Sequence, residues 1–341
     1  MGLPENSRVN MTSKYPKGKK NKITDVPGVT VGQITLEDEK KHIHTGVTAI
    51  LPHDGNLFQN KVAAGVSVIN GFGKSAGLVQ IEELGTIESP IVMTNTFSVG
   101  TAVNASLKYM LEQNEDIGVS TCTINCVVTE CNDGVLNDIR GMHVTENHVL
   151  EALNNTAEDF EEGAVGSGTG MCCMGLKGGI GSSSRLVKIG EKEYVLGVIL
   201  MSNFGVLGNL RIDGKRIETP ISRDEEKDKG SVIIVIGTDL PLSDRQLRRV
   251  SKRATVGLGR TGSYLGNGSG DIAISFSTTN RVPHYSKTGI LEVKMVHDDL
   301  LDSVFEAVAE AVEEAVISSL YHAKQVTGIR NKTLHALREF I

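Results

Sequence analysis

Residues 222–237 read Ser222-Arg-Asp-Glu-Glu-Lys-Asp-Lys-Gly230-Ser231-Val-Ile-Ile-Val-Ile-Gly237. Two kinds of chain meet at Gly230. Before it the residues are charged and without periodicity, as in a solvated surface loop. From Ser231 they form an aliphatic run of the kind seen in a strand buried on both faces. A loop joined directly to a core strand is what a self-cleaving junction requires, because the loop can leave while the strand stays anchored. The chemistry of the junction fits as well. A serine inside a chain has no base of its own, but cleavage on its N-terminal side gives it an α-amine with a reference pKa of about 7.7–8.0. That amine can take the hydroxyl proton near neutrality. A residue without Cβ before the serine lets the hydroxyl approach the preceding carbonyl carbon. Taken alone, Gly230-Ser231 reads more simply as a loop that ends where a strand begins, since Gly-Ser dipeptides are common.

Working outward, strands are expected at Val47–Leu51, Val62–Ile69, Ile91–Thr94, Tyr194–Met201 and Asp271–Thr278, each short, largely apolar and bounded by turn residues. A helix is expected over Gly100–Leu111 with Val103, Leu107 and Leu111 inward. Ser243 caps a second helix with Gln246 as capping-box partner and Leu247, Val250, Ala254 and Leu258 on its inner face. A long amphipathic helix runs from Asp298 to about Lys324, its stripe made of Leu301, Phe305, Val308, Val312, Val316 and Leu320. Strands and helices together make the chain α/β. The glycine density over 163–184 points to backbone packed close against something else. Residues 1–22 read as a polar, mobile tail, and 23–341 as one catalytic domain.

The chain has 341 residues, 39% apolar and 22% charged, with no tryptophan and 38 glycines. These proportions suit a globular protein with an aliphatic core. A net charge of −6, from 35 basic and 41 acidic residues, argues against a nucleic-acid backbone as partner. Five cysteines, an odd number without CxxC spacing, fit free thiols in a reducing compartment. The first residues lack the apolar core of a signal peptide, and no apolar run reaches the about 18 residues of a membrane span. The cytoplasm is the expected location.

Several short motifs recur, in order, in one known family: Ile23-Thr-Asp-Val-Pro-Gly-Val-Thr-Val-Gly32, Asn70-Gly-Phe-Gly73, Thr94-Asn-Thr-Phe-Ser-Val-Gly100, Asn132-Asp-Gly-Val-Leu-Asn-Asp-Ile139, Gly166-Ser-Gly-Thr-Gly170 with Lys177-Gly-Gly-Ile-Gly-Ser-Ser183, Gly230-Ser-Val-Ile-Ile-Val235, and Gly266-Asn-Gly-Ser-Gly-Asp-Ile-Ala-Ile-Ser-Phe-Ser277. On these the chain resembles the self-processing aminopeptidases that include L-aminopeptidase/D-Ala-esterase/amidase and the β-peptidyl aminopeptidases. The resemblance implies a four-layer α-β-β-α sandwich like that of the N-terminal nucleophile hydrolases. It implies self-cleavage into 1–230 and 231–341, which stay together, and a homotetramer of the processed pairs. Ser231 would be the nucleophile, Ser269 the serine that tunes its amine, Asp271 the acid that orients Ser269, and Asn203 the oxyanion donor. Asp271 stands where β-aminopeptidases carry Glu, one methylene longer. Glu130 and Asp133, flanking Cys131-Asn132, would receive the substrate's amine. Asn132 replaces an aromatic residue of some members, which makes the pocket more polar or more open. Lys177 would steady the nucleophile or a carboxylate. The substrate would be a small peptide, amide or ester, with no cofactor and no metal.

Three other motifs are set aside. Gly73-Lys-Ser-Ala-Gly77 spells GxSxG, and the strand ending at Ile69 with the run Leu78–Leu84 partly supplies the setting of a nucleophile elbow, but the resemblance reads this stretch as a loop near the substrate site. Gly257-Leu-Gly-Arg-Thr-Gly262 spells GxGxxG, but it follows a helix, whereas a dinucleotide site follows a strand. His42-Ile-His44 lacks the partners of a metal site. Two other functions stay open: hydrolysis of ω-amino-acid (nylon-type) oligomers on the same scaffold, and an unprocessed, non-catalytic binding homologue.

Overall fold

The computed structural model describes residues 9–221, 230–286 and 288–341. The charged segment 222–229, read above as a loop, and residues 1–8 of the expected tail lie outside the described residues. In chain order the strands are β1 (Thr30–Asp38), β2 (Ile43–Leu51), β3 (Asn60–Gly71), β4 (Thr86–Ile87), β5 (Ile91–Asn95), β6 (Val127–Cys131), β7 (Cys172–Cys173), β8 (Leu176–Lys177), β9 (Gly179–Ile189), β10 (Lys192–Asn203), β11 (Arg211–Ile212), β12 (Lys215–Arg216), β13 (Ser231–Thr238), β14 (Gly270–Pro283), β15 (Val326–Thr327) and β16 (Thr333–Leu334). The helices are α1 (Leu78–Leu84), α2 (Val99–Gln113), α3 (Glu146–Asn154), α4 (Asp244–Arg260) and α5 (Leu301–His322).

Two large sheets form, in the orders β1-β2-β5-β6 and β4-β3-β14-β13-β10-β9. Their pairings are antiparallel except β5 with β6 and β13 with β14. Side chains alternate faces along a strand, and three clusters of buried residues show what each face meets. Val47, Ala49, Val92 and Val128 of the smaller sheet pack against Ala102 and Ala105 of α2 and Val149, Ala152 and Leu153 of α3. Ile50 and Met93 of that sheet meet Ile233, Val235, Ile272 and Ile274 of the larger one. Val232, Ile234 and Ile236, the alternate residues of β13, pack with Ala273 against Leu247, Val250 and Ala254 of α4 and Val304, Val308 and Val312 of α5. The layers therefore run α-β-β-α. β13 is buried along its whole length because both of its faces carry a layer.

α4 begins as the sequence requires. The Ser243 hydroxyl accepts from the Gln246 amide, and Gln246 Oε1 accepts from the Ser243 amide. In α5 the stripe is buried except Phe305, whose ring carries the Arg249 and Arg253 guanidinium groups of α4 at 5.1 and 4.1 Å. α2 departs from expectation. Its buried residues are Ala102, Ala105, Ser106 and Met110, and Leu111 is exposed. Small side chains let this helix sit close on the sheet, so the bulkier Val103 and Leu107 end at its margin.

Residues 12–21 also differ from the mobile tail that composition suggests. Ser13 Oγ donates to Glu310 at 2.8 Å, Lys17 pairs with Glu314 at 2.8 Å, and Leu186 N donates to Pro16 O at 2.7 Å. Glu314 is almost fully buried and also holds Arg185 and Asn21. The polar residues that read as tail are the partners that these buried charges of α5 and β9 require. No helix among the described residues is long and apolar enough to cross a membrane.

Candidate active site

β13 starts at Ser231. In register, Ser231 faces Asn203, the last residue of β10, on one side and Gly270, the first residue of β14, on the other. Strands neighbour each other at about 4.8 Å, so segments distant in sequence converge at one end of the larger sheet. The carbonyl of Gly230 accepts from the Gly270 amide at 3.2 Å. Ser231 shares the parity of Ile233 and Val235, which face the smaller sheet. From that side the end of β6 brings up Cys131, whose thiol lies within hydrogen-bonding reach of Ser231. Burial pushes the Cys131 thiol well above its ordinary range, with Glu130 adding to the effect. It stays protonated and is no rival nucleophile.

Ser269 and Asp271 bracket Gly270. Ser269 Oγ donates to Asp271 Oδ1 at 2.6 Å, and both residues are fully buried. Such a length is typical of a hydroxyl bonded to a carboxylate. Ser269 N donates to Gly266 O at 2.9 Å, and Asn70 Nδ2 donates to the same carbonyl at 2.6 Å. A register shift against β3 falls between Asp271 and Ile272, a bulge that re-aims the strand beside the site.

The Asn203 carboxamide is held from both ends. Its Oδ1 accepts from the Cys172 amide at 2.9 Å, and its Nδ2 donates to Asn132 O at 3.0 Å. Because one partner is a donor and the other an acceptor, the orientation is fixed. Among the described residues nothing else takes the second hydrogen of Nδ2, and Asn203 lines a cleft. This cleft has a volume of about 1360 Å³ and is also lined by Ser231, Glu130 and Asn132, with the exposed rings of Phe72 and Tyr264 along it.

Glu130 is 2% exposed, yet it borders the cleft. Its Oε1 accepts from the Lys74 amide at 2.8 Å and its Oε2 from the Thr96 hydroxyl. Asp133 and Lys177 do not line the cleft. Asp133 is fully buried, its Oδ1 accepting from Asn137 Nδ2 at 3.1 Å. Lys177 is fully buried with its ammonium on three main-chain carbonyls. Neither the expected amine contact of Asp133 nor the expected reach of Lys177 to the nucleophile or a carboxylate is seen in this placement. Their turn and hairpin pack inward, where the Lys177 ammonium and Asp133 Oδ1 find their partners.

Burial raises the Asp133 pKa from 3.8 to about 6. A carboxyl whose pKa is raised on folding contributes stability that is fully present below about pH 4 and lost as pH rises through about 6. Asp133→Asn removes this dependence. Relative to the variant, the wild type loses up to about 3 kcal/mol between pH 4 and pH 7.5. Thermal midpoints of both proteins at the two pH values, measured by calorimetry, check it.

Ser75 of the GxSxG stretch stands between β3 and α1, as an elbow would, but among the described residues its buried hydroxyl has no hydrogen-bond partner. Gly257–Gly259 lie inside α4, not at its start. Among the described residues no group of three His, Cys, Asp or Glu is placed to hold a metal ion.

A four-layer sandwich with a serine at the head of a core strand and a carboxamide beside it is the setting in which known relatives place a serine aminopeptidase of the Ntn hydrolase fold. Residues 21–334 match the model of Peptidase family S58, and the chain belongs to this family. It is 37% identical to the beta-peptidyl aminopeptidase BapA of Sphingosinicella microcystinivorans, over 94% of this chain and 86% of that protein. The crystal structure of the PH0078 protein from Pyrococcus horikoshii OT3 superposes with a TM-score of 0.91 at 50% identity, covering 96% of this chain and 94% of that one. The L-aminopeptidase D-Ala-esterase/amidase of Ochrobactrum anthropi, described as a prototype for the serine aminopeptidases and a variant of the Ntn hydrolase fold, superposes at 0.89 with 37% identity, over 96% and 93%. The chain is an N-terminal-serine aminopeptidase/amidase.

Sequence reasoning passed over Cys131, Thr96, Lys74 and the Cys172 amide. Cys131 neighbours Glu130 in sequence but meets Ser231 only where β6 ends against the start of β13, and Lys74 and Thr96 reach Glu130 only through the fold. Cys172 acts through its main chain, which no residue type announces.

Proposed function

We propose that this aminopeptidase matures by cutting its own Gly230–Ser231 bond and then uses the freed Ser231 on small peptides, amides or esters bearing a free amine. The observation that carries the reading is the register of β13, which sets Ser231 beside Asn203 and Gly270. In maturation the Ser231 hydroxyl attacks the Gly230 carbonyl carbon, whose oxygen is already bonded by the Gly270 amide. Hydrolysis of the resulting ester leaves 1–230 with a carboxylate and 231–341 with an amine.

In turnover that amine takes the hydroxyl proton, and Oγ attacks the carbonyl carbon of the substrate's first residue. Asn203 Nδ2 donates to the oxyanion. The leaving amine takes the proton, and water then cleaves the acyl-enzyme, restoring the hydroxyl. Ser269 gives its own hydrogen to Asp271, so its lone pairs can accept from the Ser231 amine. That orients the amine's lone pair toward the hydroxyl and makes it a better base. The two chains stay together because β13 lies between β10 and β14. Five free cysteines support a reducing, cytoplasmic compartment, and the resemblance supports a homotetramer of such pairs.

Intact mass spectrometry of the purified protein tests the reading: two fragments, 1–230 and 231–341, are expected, and an uncut chain that hydrolyses aminoacyl nitroanilides would refute it. In the same picture Glu130 receives the substrate's ammonium. Glu130→Gln keeps the acceptor for Lys74 N but loses the charge. The kcat/KM for amine-bearing substrates then falls about 10- to 100-fold, as for a lost charge-assisted hydrogen bond. Discrimination against the N-acetylated analogue shrinks by the same factor, and steady-state kinetics on the matched pair measure both.

A further inference from the structure

Lys177 is absent from the mechanism above, yet it is among the largest fully buried side chains of the protein. Its Nζ lies 3.1 Å from Gly168 O, 2.9 Å from Met171 O and 2.7 Å from Gly178 O. Three acceptors need three N–H groups, which the ammonium has and the neutral amine lacks. Burial pulls the Lys177 pKa down to about 7, against the opposing effect of Cys172, Glu37, Cys173 and Asp133. Cys172, Cys173, Glu37, Asp133 and His44 are the titratable groups around it. Among the described residues none of the acids forms an ion pair with it.

One of those carbonyls belongs to a peptide unit that does more. The Met171–Cys172 peptide takes the Lys177 ammonium on its oxygen and gives its N–H to Asn203 Oδ1 at 2.9 Å. Asn203 in turn presents Nδ2 to the cleft. A charge at one end of such a hydrogen-bonded chain polarises every amide along it, and the last N–H becomes a stronger donor. We propose that Lys177 is a positioning residue of the oxyanion site, acting through the Met171–Cys172 peptide to orient the Asn203 carboxamide and strengthen its Nδ2–H. The inference rests on the reading of Asn203 as the oxyanion donor.

The test is a double-mutant cycle on the mature enzyme, with kcat expressed per titrated active serine. Lys177→Met keeps most of the volume and removes the charge; it lowers kcat about 10-fold and leaves KM within a factor of about 2. Asn203→Ala lowers kcat about 10²- to 10³-fold. The double variant is no slower than Asn203→Ala alone, because the relay has lost its last member. If the two losses multiply, Lys177 does not act through Asn203 and the proposal is wrong. If Asn203→Ala retains full kcat, the oxyanion assignment fails instead. A second variant leaves Lys177 in place, should Lys177→Met not fold: an ester at the Met171–Cys172 linkage, carrying an alanine-like side chain at 172 and compared with Cys172→Ala. It deletes the N–H that reaches Asn203 and lowers kcat about 10-fold at constant KM; kcat equal to that of the control overturns the proposal.

Discussion

Ser231→Ala leaves a single uncut polypeptide of 341 residues, and its hydrolysis of aminoacyl nitroanilides falls by on the order of 10⁶, the usual cost of removing a serine nucleophile. Two functions are lost together, because in the proposed maturation and turnover one hydroxyl performs both. Without it no atom attacks the Gly230 carbonyl, and without cleavage no α-amine appears. The variant still folds. Ser231 lies beside Asn203 and Gly270 at the end of a sheet whose stability comes from Ile233, Val235 and their neighbours between the layers. Loss of one hydroxyl there leaves this packing untouched, so the thermal midpoint of Ser231→Ala matches that of the unprocessed wild type. Cys131 gives no rescue, although its thiol lies against the site, because burial keeps it protonated. Mass spectrometry and a kinetic trace on one preparation suffice. A cut chain, or substantial residual turnover, would mean that another group is the nucleophile.

Much of this architecture is legible in the sequence wherever one physical signal acts alone. Ser243 and Gln246 announce the start of α4, and the inner face Leu247, Val250, Ala254 and Leu258 follows the helical period and is buried. Ser231–Gly237 is too apolar to be anything but central. β9 was not legible as a strand, because glycines and serines over 179–184 carry no strand preference. They are there to let α5 approach: a Cβ at Gly181 would stand 1.9 Å from Ala315 O. The glycine density thus signals close packing, as expected, but its partner lies more than a hundred residues away. The site divides in the same way. Ser231, Asn203, Ser269, Asp271 and Glu130 are chemically distinctive and converge at one sheet end. Lys177 and Asp133 are just as distinctive by type, but their burial depends on how loops fold back, which no local pattern encodes.

Gly230→Ala separates maturation from turnover. A Cβ at position 230 would stand 1.9 Å from Asn203 O and 2.6 Å from Phe204 Cα. Both are main-chain atoms, so no side-chain rotation relieves the clash, and the junction itself has to move by about 1 Å or more. The displacement falls on the carbonyl that Ser231 must attack and on its bond to the Gly270 amide. Misplacement of this size costs about 10² in rate, so self-cleavage slows about 100-fold or more, measured as the half-time for conversion of the freshly purified chain. Once the bond is cut, residue 230 is no longer attached to the nucleophile. The matured fraction of Gly230→Ala therefore turns over substrate at the wild-type kcat per titrated serine. Ser231→Ala loses both activities together, whereas Gly230→Ala slows only the first. Fast maturation of the alanine variant would mean that the contact with β10 is not felt. A matured fraction with a raised KM at unchanged kcat would mean that the residue 230 carboxylate stays in the cleft and competes with substrate for Asn203.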